Sequence, residues 1–230
     1  MRKLLLSLII VCAMATTAIA ELQYHDATQF RIIGKPTYAT DTIFSRLPDS
    51  LSGHIRQGLW GVGRNSAGIA VRFRSNTSTI GLKWHSTNNF SMNHMTATGV
   101  RGLDLYTLQS DGSWTFVNAA RPGVKPDNKY TLMSNMTPEE REYLLFLPLY
   151  DSCSSLEIGI DSTAIIAPPA IDLPVAEKPI VWYGTSITQG GCASRPGMAA
   201  TNIIERELNR VVINLGFSGN GRLDYEIAEM

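Results

Sequence analysis

No sign of charge dominates this chain: its 230 residues carry 20 Lys and Arg against 20 Asp and Glu, with no basic stripe. That removes the electrostatic footprint which nucleic acid or an anionic membrane surface demands. Histidine is sparse, with His25, His54, His85 and His94 as the whole supply. His85 and His94 lack the cysteine or carboxylate pattern of a zinc site, so no metal is implied. Only Cys153 and Cys192 lie outside the first 20 residues. They either pair, if their Cα atoms lie within about 7 Å, or stay as two separate buried thiols. Internal repeats and low-complexity tracts are missing too. What remains, with 44% hydrophobic residues, is a globular chain with room for one domain or two.

The start of the chain has its own pattern. Arg2-Lys3 gives a positive region, Leu4 to Val11 an apolar one, and Ala18-Ile19-Ala20 a small-x-small cleavage site. Ser7 interrupts the apolar run, which fades too early to span roughly 30 Å of hydrocarbon. A lipid anchor at Cys12 is disfavoured because Val11 precedes it. These features predict a signal peptide over 1–20, a mature chain from Glu21, and a secreted or periplasmic protein with no membrane span after cleavage.

From residue 21 to about 165 the apolar pattern has period two. Ile69, Val71 and Phe73 alternate with Ala70, Arg72 and Arg74, and Ile80, Leu82 and Trp84 with Gly81 and Lys83, so each stretch buries one face of a strand. Asp111-Gly112 between two such runs predicts a hairpin through a type I′ turn. Further strands are expected over 143–147 and 156–160, and Thr137-Pro138-Glu139-Glu140 suggests a single helical turn. Many short strands with little helical periodicity argue for an antiparallel, jelly-roll-like sandwich over 21–165. Prolines at 168, 169, 174 and 179 suit an extended linker over 166–178. After it, Ile180-Val181-Trp182-Tyr183 reads as a strand buried on both faces. A helix follows with Ala200, Ile203, Ile204 and Leu208 on its apolar face, then a buried strand at Val211-Val212-Ile213 and another helix from Leu223. This is a βαβ unit, which brings the loops after its two strands to one sheet edge.

Those two loops carry the chemistry. In Gly184-Thr185-Ser186-Ile187-Thr188-Gln189-Gly190-Gly191 a serine stands on the first turn after a strand, with backbone N–H groups free nearby. A phosphate cradle finds little support because no lysine follows the glycines, and Thr188 stands where a G-x-S-x-G elbow has its second glycine. Taken alone, such a serine is ordinary turn chemistry. The second loop, Asn214-Leu215-Gly216-Phe217-Ser218-Gly219-Asn220-Gly221, adds a glycine N–H able to face an acyl oxygen as it turns anionic. Two such loops on neighbouring strand ends make half an active site.

In these blocks the sequence resembles the SGNH hydrolases, also called GDSL esterases, with Thr185 where Asp is commoner. The resemblance implies Ser186 as nucleophile and the N–H groups of Ser186 and Gly219 as oxyanion donors, with no cofactor. Gly191-Cys192-Ala193-Ser194-Arg195-Pro196-Gly197-Met198, with Gly102-Leu103-Asp104-Leu105-Tyr106 upstream, is similar to a subgroup bearing an N-terminal β-sandwich with a GxDLY motif. Asp104 reads best as a hydrogen-bonded strand residue, and Arg195 as one half of a structural ion pair.

The implied fold is a jelly-roll-like sandwich followed by the first βαβ unit of a three-layer, flavodoxin-like hydrolase domain over 179–230, incomplete at its end. The family's third-block Asn and late Asp-x-x-His have no counterpart in this sequence, so the chain alone is expected to be inactive. By the resemblance, the activity is removal of acetyl or other small acyl groups, from carbohydrate or an acylated small molecule, through an acyl-enzyme on Ser186. Alternatives are a lipid or phospholipid acyl hydrolase and a non-catalytic glycan-binding protein. The first prediction concerns export: N-terminal sequencing of the exported product should begin at Glu21, whereas a retained Met1 or a lipid on Cys12 would refute the cleavage site.

Overall fold

The period-two alternation becomes two facing antiparallel sheets in the structure, a computed structural model that describes residues 21–230 apart from 41, 173 and 175–177. The expected signal peptide and Cys12 lie outside the described residues. In chain order the sandwich holds β1 (Gln23–Asp26), β2 (Arg31–Ile33), α1 (Gln57–Gly63), β3 (Ala70–Ser75), β4 (Ile80–Ser86), α2 (Ala97–Arg101) and β5 (Leu103–Leu108). It continues with β6 (Trp114–Ala120), β7 (Asp127–Met133), β8 (Arg141–Phe146), β9 (Cys153–Ile160) and β10 (Ile166–Ala167). One sheet runs β1-β9-β4-β7 and the other β10-β3-β8-β5-β6, with β2 also on β3. Leaving the short β2 and β10 aside, the first strand lies beside the last and the chain passes back and forth between the sheets, which is jelly-roll topology. Val71, Phe73 and Leu145 of one sheet meet Leu82, Trp84 and Ile158 of the other in the core, each burial contributing about 1.5–3 kcal/mol.

Several expectations need correction. The Asp111-Gly112 hairpin forms, but only Gly112 has positive φ, at 83°. The Gly112 N–H bonds Gln109 O and the Gln109 N–H bonds Ser113 O, so the loop is a type I turn ending in a left-handed glycine. Residues 137–140 form no helical turn; the Arg141 guanidinium instead donates to Thr137 O and Glu139 O. The two thiols are free, Cys153 buried and Cys192 exposed. The expected linker opens as the edge strand β10 and stays tied to the sandwich, since Ala170 and Ile171 donate their N–H groups to Glu142.

The second unit holds β11 (Ile180–Gly184), α3 (Ser186–Gln189), α4 (Ala200–Leu208), β12 (Val212–Gly216) and α5 (Tyr225–Ala228). β11 and β12 pair in parallel, Ile180 opposite Val212 and Gly184 opposite Gly216. β12 is buried throughout, but Val181 and Trp182 of β11 are exposed, because β12 is its only neighbour among the described residues. On α4 the buried residues are Thr201, Asn202 and Glu205, while Leu208 is exposed. The expected apolar face is not the packed one, for a reason that lies in β12. Leu223 precedes rather than opens the last helix, with φ of 58°.

In a parallel pair alternate backbone groups point to opposite edges of a strand. The Ile180 N–H takes Val211 O and the Phe217 N–H takes Gly184 O, so the carbonyls of Asn214 and Gly216 face away from β11. No strand covers that edge among the described residues; side chains do. The Arg46 guanidinium donates to Asn214 O at 3.1 Å and Gly216 O at 2.7 Å, and also to Asn65 O and Val62 O. Glu205 accepts the Val212 N–H, and the Asn214 side chain accepts the Gly216 N–H while holding Thr201. The buried stripe of α4 is polar because it completes this edge.

Arg46 belongs to an excursion between β2 and β3 that also brings α1 onto the second unit. Leu47 and Leu59 share a core with Ile213, Leu215, Phe217 and Ile227. Glycine permits the close approach: a Cβ on Gly58 would strike Asn220, and one on Gly63 would strike Leu47. Arg46 has no solvent exposure, and burial pulls its pKa down to about 9. Arg46→Met would strand the carbonyls of Asn214, Gly216 and Asn65, each worth about 1–3 kcal/mol, while Val62 O keeps the Asn65 N–H. Urea denaturation should therefore show a loss of at least about 3 kcal/mol, and a loss below about 1 kcal/mol would mean that water can replace the guanidinium.

Candidate active site

Both catalytic-side loops leave the carboxyl ends of paired strands. After Gly184 the chain passes through Thr185 at φ −108°, ψ −142°, and Ser186 opens the single turn α3. Gly190 closes that turn at φ 112°. The Ser186 carbonyl accepts the N–H groups of Gly190 and Gly191 and, from the sandwich side, the Tyr150 hydroxyl at 3.1 Å. Ser186 is thus fixed through its backbone while its side chain stays half-buried at the surface.

The second loop is held as firmly. The Asn220 and Gly221 N–H groups fold back on Phe217 O, and Gly219 sits exposed at φ 66° with open space where a Cβ would point. Two fully buried amides join the loops. Gln189 accepts the Ser218 N–H at 2.8 Å and donates to Leu149 O of the sandwich. Asn214 donates to Thr188 O at 2.8 Å. From the other side Arg56 grips Asn220 and makes a two-point ion pair with Asp224. The N–H groups of Ser186 and Gly219 have no protein acceptor among the described residues.

The structure thus places Ser186 and Gly219 on neighbouring loops, and it adds Gln189, Asn214, Tyr150 and Arg56 as the groups that hold them. Gln189 and Asn214 stand inside the two motifs and were within reach of sequence reasoning; Tyr150 and Arg56 carry no local signal. The histidines are elsewhere. His85 pairs with Asp127 and His94 with Asn93, and none of the four bonds Ser186 among the described residues. Among these residues no group of three His, Cys, Asp or Glu could hold a metal ion, and no helix is long and apolar enough to cross a membrane.

The GxDLY segment lies at the seam between sandwich and second unit. Asp104 is fully buried and accepts the Gly197 N–H at 2.9 and 3.0 Å together with the Tyr106 hydroxyl. Arg195 approaches it at 3.4 Å and lies over the Phe116 ring, and Arg206 lies over Tyr106. A side chain on Gly197 would collide with Tyr106. Asp104 is therefore a structural hydrogen-bonded residue, but one that clasps the hydrolase-side segment instead of serving its own sheet.

Residues 22–166 match the family model for the GxDLY N-terminus of SGNH-hydrolase-type esterases. The chain belongs to this family. Residues 177–230 match the GDSL-like lipase/acylhydrolase family. A Bacteroides ovatus protein of known structure, described as a GDSL-like lipase, is 38% identical with a TM-score of 0.85, over 91% of this chain and 60% of that one. A salicylyl-acyltransferase from a tetracycline biosynthetic pathway shares the fold at 15% identity and TM-score 0.66, over 87% of this chain and 55% of its own. No curated protein matches the chain. The chain thus spans about 60% of the length of the first of these structures.

The clasp carries a pH dependence. Burial pushes the Asp104 carboxyl up to about 7, against the pull of Gly197, Tyr106, Arg195 and Arg206. Burial likewise raises Glu205 to about 8, opposed by the Val212 N–H and by Arg206. Both shifts favour the protonated form in the folded state. The stability they confer is complete below about pH 4 and is lost as pH rises through 7 to 8. Unfolding free energies measured from pH 5 to 7 should fall, and Asp104→Asn should flatten the fall by about 1 kcal/mol per pH unit. An unchanged slope would show that Asp104 is ionised throughout.

Proposed function

We propose that this protein is an exported serine esterase that removes acetyl or another small acyl group from carbohydrate. The observation that carries the reading is the pair of unclaimed N–H groups, on Ser186 and Gly219, held on adjacent loops by Gln189. Donors so fixed stabilise a tetrahedral oxyanion without reorganising as the charge develops. The Ser186 Oγ attacks the ester carbonyl and loses its proton to a base. The carbonyl oxygen turns toward the two N–H groups, the alcohol departs with a proton, and water then hydrolyses the acyl-enzyme. Membership of the family and the likeness to a lipase and an acyltransferase support acyl chemistry. The signal-like leader and the appended sandwich favour a glycan over a lipid, by analogy with the subgroup.

In this reading none of the four histidines serves as the base, since none bonds Ser186 among the described residues. The 230-residue chain alone is accordingly inert in this reading. The test compares wild type with Ser186→Ala in the form the gene encodes, on p-nitrophenyl acetate and acetylated xylo-oligosaccharides. Turnover should drop by about 10³-fold or more at an unchanged melting temperature. Wild-type rates in the variant would move the nucleophile elsewhere.

A further inference from the structure

A cavity of about 370 Å³ opens beside the candidate active site, and most of its lining comes from the sandwich side. Val62, Phe90 and Met92 give it an apolar wall; Asn65, Asn88 and Ser218 give it a polar one. Ser218 precedes the donor Gly219, and Tyr150, which also lines the cavity, bonds the Ser186 carbonyl. We infer that this cavity is a subsite for a neutral pyranose ring, with Phe90 as the stacking platform and Asn65 as a hydroxyl-binding amide.

Phe90 is 46% exposed, an unusual state for a phenylalanine on a well-fixed segment. The segment is fixed by a fully buried carboxylate: Asp151 accepts the N–H groups of Asn88 at 2.9 Å and Phe90 at 3.0 Å. Asn89, at φ 46°, is bound by Arg101 and donates to Val124 O. A ring displayed on a segment ordered in advance binds a partner with little further loss of freedom. Asn65 points the same way. The residue is only 5% exposed, its carbonyl is engaged by Arg46, yet its side-chain amide has no hydrogen-bond partner among the described residues. This amide lines the cavity and is not a buried unsatisfied group, so a ligand hydroxyl can take the place of the water that satisfies it.

The chemistry of the two walls selects the ligand. A sugar ring offers a C–H face for the aromatic side and equatorial hydroxyls for the amides, so both walls are used. An alkyl chain would leave Asn65 and Ser218 facing methylenes at a desolvation cost. The volume lies at the small end of the roughly 300–1,000 Å³ usual for ligand sites, which suits one ring and not a long acyl tail.

This assignment rests on Ser186 as nucleophile only for its consequence in turnover; binding is measurable without it. The experiment is ligand-observed NMR titration of the gene-encoded protein carrying Ser186→Ala, with the methyl glycosides of xylose, glucose and galactose, and with sodium hexanoate as acyl probe. At least one glycoside should saturate. Phe90→Ala and Asn65→Ala should each weaken it about fivefold or more, Phe90→Trp should retain it, and melting temperatures should stay at the parent value. Hexanoate should not compete. Absence of glycoside binding, binding untouched by Phe90→Ala, or displacement by hexanoate would overturn the subsite. If the glycoside binds as expected while Ser186→Ala leaves turnover intact, the nucleophile reading fails and the subsite stands.

Discussion

Everything on the catalytic side hangs from a guanidinium that never meets solvent. Among the described residues β12 has a pairing partner on one edge only, and the other edge is finished by Arg46, whose planar fork reaches two β12 carbonyls and two more near α1. A lysine ammonium is a single point charge and does not span that set. Even with its pKa lowered to about 9 the group is charged at neutral pH, and stacking on the Phe217 ring at 5.1 Å adds to its hold. Because β12 runs directly into the loop of Ser218 and Gly219, the position of the Gly219 N–H is set by a residue of the excursion between β2 and β3.

The second fixed point is the GxDLY clasp. Where Arg46 supplies donors to unpaired carbonyls, Asp104 supplies oxygens to an unpaired N–H, so the two contacts are opposite in sign. Between them the polar stripe of α4 satisfies the remaining edge groups. Most buried polar groups here answer another, with Glu205 Oε1 and Arg195 Nε as exceptions.

The sandwich was legible because period-two alternation survives in strands that bury one face, and the Asp-Gly turn and both glycine-bounded loops announced themselves by residue type. Three features were not. α1 holds three glycines in seven residues, two of which, Gly58 and Gly63, permit close approach to Asn220 and Leu47, and together they erase its helical signal. The buried stripe of α4 is written in Thr, Asn and Glu because it completes a strand edge, so a search for apolar periodicity selected the wrong face. Arg46 looks like any loop arginine, since nothing local marks a partner whose separation along the chain is 168 residues. Within the site, Ser186 and Gly219 were readable from their motifs, while Phe90, Tyr150 and Asn65 belong to the fold's second half only in space.

That separation also dictates an order of events. Every strand of the jelly roll precedes β11 in the chain, so the sandwich has its full complement before any β12 carbonyl exists to receive Arg46. Closing a loop of such length adds little entropy beyond a shorter one, but until it closes the arginine stays hydrated and Leu47 and Leu59 lie bare. The late-arriving segment is therefore assembled on a template that already exists, and the interval before it arrives is when this chain is most exposed to aggregation and to proteases.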